Sequence, residues 1–565
     1  MTANFAAELY AGRYRRELIE LPPGDPRPLP ADDQAFLDRL AAFCESEVDG
    51  LRIEREDRIP DETIVGLRDL GAFCIKIPRE YGGLGLSGRC YLRALMIVST
   101  AHPALSELLA AHQAIGLPQP LLLHGTEEQR REFLPRCARE LSAFALTEAE
   151  IGNDPYRMHT TAVPDRASGS YTLNGVKLWT TNGVIADLLV VLAMVPAADG
   201  DGRMTAFVVE ADSPGVTVEH RSSFLGLRGL ENGVIRFDEV VVPARNRIGA
   251  EGDGLDVALS AQETGRLSLP AVCAAAAKWS LKIAREWSTH RVQWGKPIGE
   301  HEAVAGKLAS IAATAFALEA IVEVTGRRAE LGEVDTSLEA ELAKLYASEH
   351  AWTVADELVQ LRGGRGYETA ASAVARGERG VPVEQLLRDL RVGRIFDGST
   401  EALREFLATD ILAYCADHPA EGIADSPPPA EHRAYLTHAA QRLRTALSDG
   451  PRTQRQLGRL VDIGAELYAM AASLEYAEAL ARHEPTAAEL ADAFCVQARH
   501  RVEALFTQVT ANADRQDKAT ARSICDGRFA WLEAGVCDPS VDGPWIAEPK
   551  PGVTSGVNLR RRIPA

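Results

Sequence analysis

The sequence has no C-x-x-C pair, no uninterrupted apolar run of about 18 residues, no internal repeat of solenoid type and no surplus of basic charge. Each absence excludes something. The nine cysteines (Cys44, Cys74, Cys90, Cys137, Cys273, Cys415, Cys495, Cys525, Cys537) are odd in number and scattered. That pattern argues against a disulfide framework or a zinc site and for reduced, buried thiols in a cytoplasmic protein; no metal is expected. Without a long apolar run no membrane-spanning helix is expected. The opening stretch "MTANFAAELYAGRYRRELIE" lacks a basic flank followed by an apolar core, so no secretion signal is expected there. With 80 acidic against 61 basic residues the net charge is −19, which disfavours non-specific contact with nucleic acid.

What is present is a chain of 565 residues, 46% of them hydrophobic, long enough for several domains around a large core. Its texture changes along its length. Up to residue 140 the apolar residues recur at helical spacing, as in "ADDQAFLDRLAAFCESEV" and "DETIVGLRDLGAF". Over 141–250 come short β-branched or aromatic stretches bounded by Gly, Asn, Asp and Pro, such as "YTLNGVKLWTTNG" and "GVIRFDEVVVP". They predict a compact antiparallel β-barrel or sandwich. Over 251–412 long alanine-rich segments with few breakers suit a helix bundle. The stretch "DHPAEGIADSPPPAEH" then reads as a linker, and 413–565 as a further helical extension that ends irregular and basic. The expected architecture is a multidomain α+β protein of helical, β, helical and again helical parts.

The segment "RIFDGSTE" (394–401) breaks two helix-like runs. On its own it is an ordinary helix start, with Asp or Ser as cap and Gly398 freeing the backbone. Other segments give it more meaning. "FALTEAEIGND" (144–154) and "LNGVKLWTTNG" (173–183) resemble the flavin-binding signatures of the acyl-CoA dehydrogenase family. "GLRGLENGVIRFDEVVVPARNRIG", "THRVQWGKPIGEHEAV", "QLRGGRGYE" and "RIFDGSTE" fit the same family in the same order, over roughly residues 35–412.

That resemblance implies FAD between a β-barrel and a helix bundle, in a site completed by a neighbouring subunit. It implies α,β-dehydrogenation of an acyl-CoA or acyl-carrier-protein thioester. A carboxylate takes the α-proton, the β-hydrogen leaves as hydride to the flavin, and hydrogen bonds to the thioester oxygen stabilise the enolate. Electron-transfer flavoprotein is the acceptor it implies. The base position is normally Glu and here is Asp397, one methylene shorter, so the carboxylate retreats by roughly 1.5 Å. A displacement near 1 Å can cost on the order of 100-fold in rate. The position used for the base in other branches is Gly265, which cannot serve. Glu263 nearby and the absence of any competent base remain the alternatives to Asp397.

The remaining roles carry over by resemblance. Phe144, Leu146 and Thr147 match the strand beside the isoalloxazine ring, Gly152 and Asn153 the approach to pyrophosphate or substrate, and Trp179 and Thr181 the aromatic wall and a hydroxyl near the flavin N5. Arg291, Gln293 and Trp294, with Gln360, Gly363 and Gly364, match contacts to the ADP part of the partner's FAD. Ser399 and Glu401 match the adenine end, Glu401 the weaker because its charge repels phosphate. Glu263 with Arg266, and Phe396 with Gly398, are the expected substrate contacts. The connection over 368–382 exceeds the usual family length and either shapes the acyl pocket or decorates the surface. The C-terminal extension resembles in placement that of the very-long-chain branch, which implies a homodimer. An Asp base also fits the nitroalkane-oxidising branch, and a non-catalytic relative is the third reading.

Overall fold

A computed structural model describes residues 4–197, 200, 202–418, 430–448, 452–547 and 558–564, with the side chains of 262–264 outside the description. The N-terminal part is helical, as its periodicity predicts. Its helices include Ala31–Glu47, Gly88–Ala101, Pro103–Gln113 and Glu127–Cys137. The last opens with a reciprocal cap: Thr126 accepts from the Gln129 N–H while the Gln129 side chain accepts from the Thr126 N–H. Pro103 at the first helical position and His102 as cap fix the start of Pro103–Gln113, which carries a residue of the site.

The middle part is one eight-stranded sheet. In chain order its strands are β1 (Ser142–Ala145), β2 (Thr161–Asp165), β3 (Ser170–Thr180), β4 (Leu188–Val195), β5 (Arg203–Glu210), β6 (Val216–Arg221), β7 (Gly233–Pro243) and β8 (Arg247–Ile248). The spatial order is β6-β7-β3-β2-β4-β5-β8, with β1 against β4. The sheet is mixed, which corrects the antiparallel expectation: β1 and β2 both run parallel to β4. Among the described residues no pairing joins the two ends of this path. β4 is buried nearly throughout because it is central and covered on both faces, hence its unbroken "LLVVLAMV".

Three long helices follow, Ser268–His290, Glu302–Leu331 and Ser337–Arg362, and pack on one another through buried alanines. Glu302–Leu331 is long and apolar enough to cross a membrane, with a mean hydropathy of 1.6 over its most apolar 18 residues, but 67% of that window is buried inside the protein. The broken apolar run in the sequence understated it. The extension supplies Gln454–Leu480 and Ala487–Thr510, which pack on Glu302–Leu331. The N-terminal helix Phe5–Tyr10 inserts beside Gln454–Leu480, and Tyr10 donates to the Val461 carbonyl at 2.7 Å.

The basic C-terminal tail, irregular as expected, docks on the middle part. The Leu559 N–H donates to Val218 O and the Arg561 N–H to Val184 O, while Arg560 pairs with Asp187 at 2.9 Å. Seven cysteines are buried free thiols, but Cys525 and Cys537 are exposed, contrary to expectation: the helix Asp514–Cys525 has no buried residue and meets the helix Gln454–Leu480 through the ion pairs of Arg455 and Arg459 with Asp514.

Candidate active site

Asp397 adopts a left-handed backbone, φ 49°, and Gly398 follows at φ 86°. Asp tolerates this region better than most residues, and Gly freely. A Cβ on Gly398 would meet the Leu403 side chain at 3.0 Å. Ser399 then caps helix Thr400–Ala416 by accepting from the Ala402 N–H. The sequence reading of a helix start is therefore correct, and the carboxylate sits on the strained residue just before it.

The turn is clamped from helix Ser337–Arg362. The buried Lys344 ammonium donates to the carbonyls on either side of Asp397, Phe396 O at 3.0 Å and Gly398 O at 2.6 Å. Five residues on, Glu349 accepts from Arg394 at 2.8 Å and from the Thr400 hydroxyl at 2.6 Å. The two ends of "RIFDGST" are thus tied to one helix. Neither Lys344 nor Glu349 was read from the sequence, where each is one charge in a helical pattern.

Asp397 lines a cavity of about 80 Å³ with Arg266, Lys344, Phe396, Thr181 and Glu107. This space brings together the middle sheet, the bundle and the N-terminal helices. Desolvation pushes the Asp397 carboxyl above the ordinary aspartate range, and Lys344 and Arg266 pull it part of the way back. Burial also lowers the Lys344 ammonium to about 8. Arg266 makes an ion pair with Glu341. The expected partner Glu263 has its side chain outside the described residues.

A larger chamber of about 420 Å³ adjoins this cavity. The two share Glu107, Leu269, Val272 and Phe396 as common lining. Trp279 and Leu386 line the chamber, as do Gly380 and Pro382 from the end of the 368–382 connection. Of the two readings of that connection, its far end shapes the chamber. The rest forms the short helix Ala370–Ala375, held by Arg376 to Glu368 and Arg365 to Glu378, both at 2.7 Å.

The expected cofactor residues fall into two groups. Phe144, Leu146 and Thr147 run along and just beyond β1, half-buried. The Leu178 N–H donates to Thr147 O at 2.8 Å, joining the two flavin-like segments. Beneath them the buried Lys177 ammonium donates to Leu146 O at 3.0 Å and pairs with Glu148 at 2.8 Å. Trp179, at φ 54°, is 56% exposed, and its carbonyl accepts from Asn232, which also donates to the Thr181 hydroxyl. Asn153 donates to Ser399 at 3.3 Å, joining the Gly152 turn to the start of the last bundle helix; Glu401 there is exposed. The second group lies at another end of the bundle. Arg291 ends helix Ser268–His290, and Gln293 and Trp294 form a small hairpin whose Trp294 is 90% exposed. Trp287 donates to Leu361 O at 3.1 Å, setting this hairpin beside Gln360, Gly363 and Gly364. No Cβ contact lies within 4 Å of Gly152, Gly363 or Gly364, so their backbones are open to a ligand.

A helical–sheet–helical chain with a carboxylate held in a cavity between all three parts defines a class of enzyme, and the sequence comparisons give the same class. Residues 30–140, 143–240 and 252–412 match the N-terminal, middle and C-terminal domain profiles of acyl-CoA dehydrogenase. The chain belongs to the acyl-CoA dehydrogenase family. It is 48% identical to the probable acyl-CoA dehydrogenase FadE10 of Mycobacterium tuberculosis, over 99% of this chain and 94% of that one. It is 32% identical to the very long-chain specific acyl-CoA dehydrogenase of Rattus norvegicus mitochondria, over 85% of this chain and 80% of that one. The acyl-CoA dehydrogenase of Bacillus anthracis, solved with FAD, has the same fold: TM-score 0.77, 24% identity, 90% of this chain and 92% of that one.

Proposed function

We propose that the chain is an FAD-dependent dehydrogenase of acyl thioesters in which Asp397 is the base. The observation that carries this reading is the clamped left-handed turn, which presents a carboxylate to a cavity shared with Thr181 and Arg266. The residues fit the cofactor: Trp179 offers an exposed ring, and the open glycines and the joined Asn153 and Ser399 suit a pyrophosphate. FAD held there would supply the acceptor for the β-hydride. Asp397 takes the α-proton, and its raised pKa strengthens it as a base. The Asp397 N–H is assigned to the thioester oxygen, where it meets the charge that develops on enolisation. The chamber receives the acyl chain beyond the reacting carbons, and its size favours a thioester over a small nitroalkane.

Arg291, Gln293, Trp294, Gln360, Gly363 and Gly364 are assigned to the ADP part of a second subunit's FAD, which makes the functional unit a homodimer. CoA is the preferred carrier, electron-transfer flavoprotein the acceptor and the cytoplasm the location. The test is anaerobic titration of the yellow protein with straight, branched and cyclic acyl-CoAs. Rapid bleaching of the flavin by one of them is expected. A flavin that no thioester bleaches, but that turns over a nitroalkane with oxygen, overturns the reading.

A further inference from the structure

The neck between the reaction cavity and the chamber holds a carboxyl group that the dehydrogenation itself does not use. Glu107 lines both spaces, together with Leu269, Val272 and Phe396. Its side chain makes no hydrogen bond or ion pair among the described residues. The two cations facing the same cavity are engaged elsewhere, Lys344 with two carbonyls and Arg266 with Glu341. A chain whose α-carbon meets Asp397 reaches the chamber past Glu107. The chamber wall beyond is apolar in the main but includes the buried His102 and Gln385, in contact with each other at 3.1 Å.

We propose that Glu107 is a specificity-determining residue that selects acyl thioesters carrying a keto or hydroxyl oxygen a few carbons beyond the reacting pair. This rests on the dehydrogenase reading above. Burial, and then the negative charge of Asp397, raise the Glu107 carboxyl to about 8. Neighbouring carboxyls in different environments can take different roles. Asp397 is the proposed base, and Glu107, raised to about 8, is a neutral acid at pH 7 whose O–H donates to an oxygen acceptor. A plain alkyl chain leaves that O–H unpaired in an apolar neck, an arrangement that discriminates strongly against substrates lacking the acceptor.

The experiment compares kcat/KM, by anaerobic flavin bleaching, for decanoyl-CoA and for decanoyl-CoA bearing a keto group on the fifth or sixth carbon. The wild type is expected to favour a keto substrate by about 10-fold or more. Glu107→Gln keeps an N–H donor of the same reach and retains the preference. Glu107→Leu loses it while still oxidising decanoyl-CoA. The groups facing Glu107 are Asp397, Lys344 and Arg266 across the cavity and Asp49, His102 and Asp389 around the chamber. The wild-type preference therefore fades as pH rises through about 8, and that of the Gln variant does not. Equal use of both substrates by the wild type, or a preference that survives in the Leu variant, overturns the proposal and leaves the dehydrogenase reading standing. Failure of every thioester to bleach the flavin overturns both.

Discussion

Asp397 works, on the reading proposed above, because of two lysine hydrogen bonds as much as its own carboxyl. Replacing it with Asn removes the proton acceptor and keeps the left-handed turn, since Asn also tolerates that region. Bleaching by acyl-CoA is expected to slow by on the order of 1,000-fold with FAD still bound. Lys344→Met frees the carbonyls of Phe396 and Gly398 and loosens the turn. The expected loss is on the order of 100-fold in kcat, with a smaller change in KM. The pH profile follows from the sign of the Asp397 shift. Its folded pKa is raised, so the ionised base is lost as pH falls through a value above that of an ordinary aspartate. The acid limb of kcat/KM is expected above that range, and a limb at the free-aspartate value near 3.9 counts against the assignment.

At the scale of elements, the flavin-like segments hold together through a buried ion pair. Lys177 on β3 and Glu148 just after β1 are both almost fully buried, and Glu148 also accepts from the His159 and Thr160 N–H groups. Lys177→Met leaves that carboxylate without its cation, an arrangement that costs about 3–5 kcal/mol. Thermal stability and bound FAD are expected to fall together, read as Tm and as flavin content after gel filtration. A second buried carboxyl anchors the N-terminal helix: Glu339 accepts from the Ala6 N–H at 3.0 Å and from the Asn4 side chain. Burial raises it to about 7. A raised carboxyl binds more protons folded than unfolded, so its contribution is complete below about 4.5 and is lost as pH climbs through about 7. Tm is expected to drop between pH 5 and pH 8 in the wild type and to drop less in Glu339→Gln.

At the scale of the molecule, the two ends of the chain act as straps. The N-terminal helix lies against the C-terminal extension, and the C-terminal tail lies on the sheet, where Arg561 pairs with Asp61 of the N-terminal part and Glu231 of the middle part. Deleting 558–564 removes these contacts without touching the catalytic turn. The expected loss is about 1–3 kcal/mol in stability, with FAD content unchanged, measured by calorimetry and absorbance.

The sequence by itself determined the helical–sheet–helical order, the family and the segments that build the site. These rest on local periodicity, turn chemistry and short motifs, which are properties of neighbours in the chain. It could not supply the parallel pairing of β1 and β2 with β4, since strand direction is settled by how distant segments meet. Nor could it single out Lys344, Glu349 or Glu107. Lys344 and Glu349 grip a turn some fifty residues away, and Glu107 faces Asp397 across nearly three hundred. Burial gives those charges their roles by making each unpaired group costly and each titration shift, and burial exists only once the chain has folded.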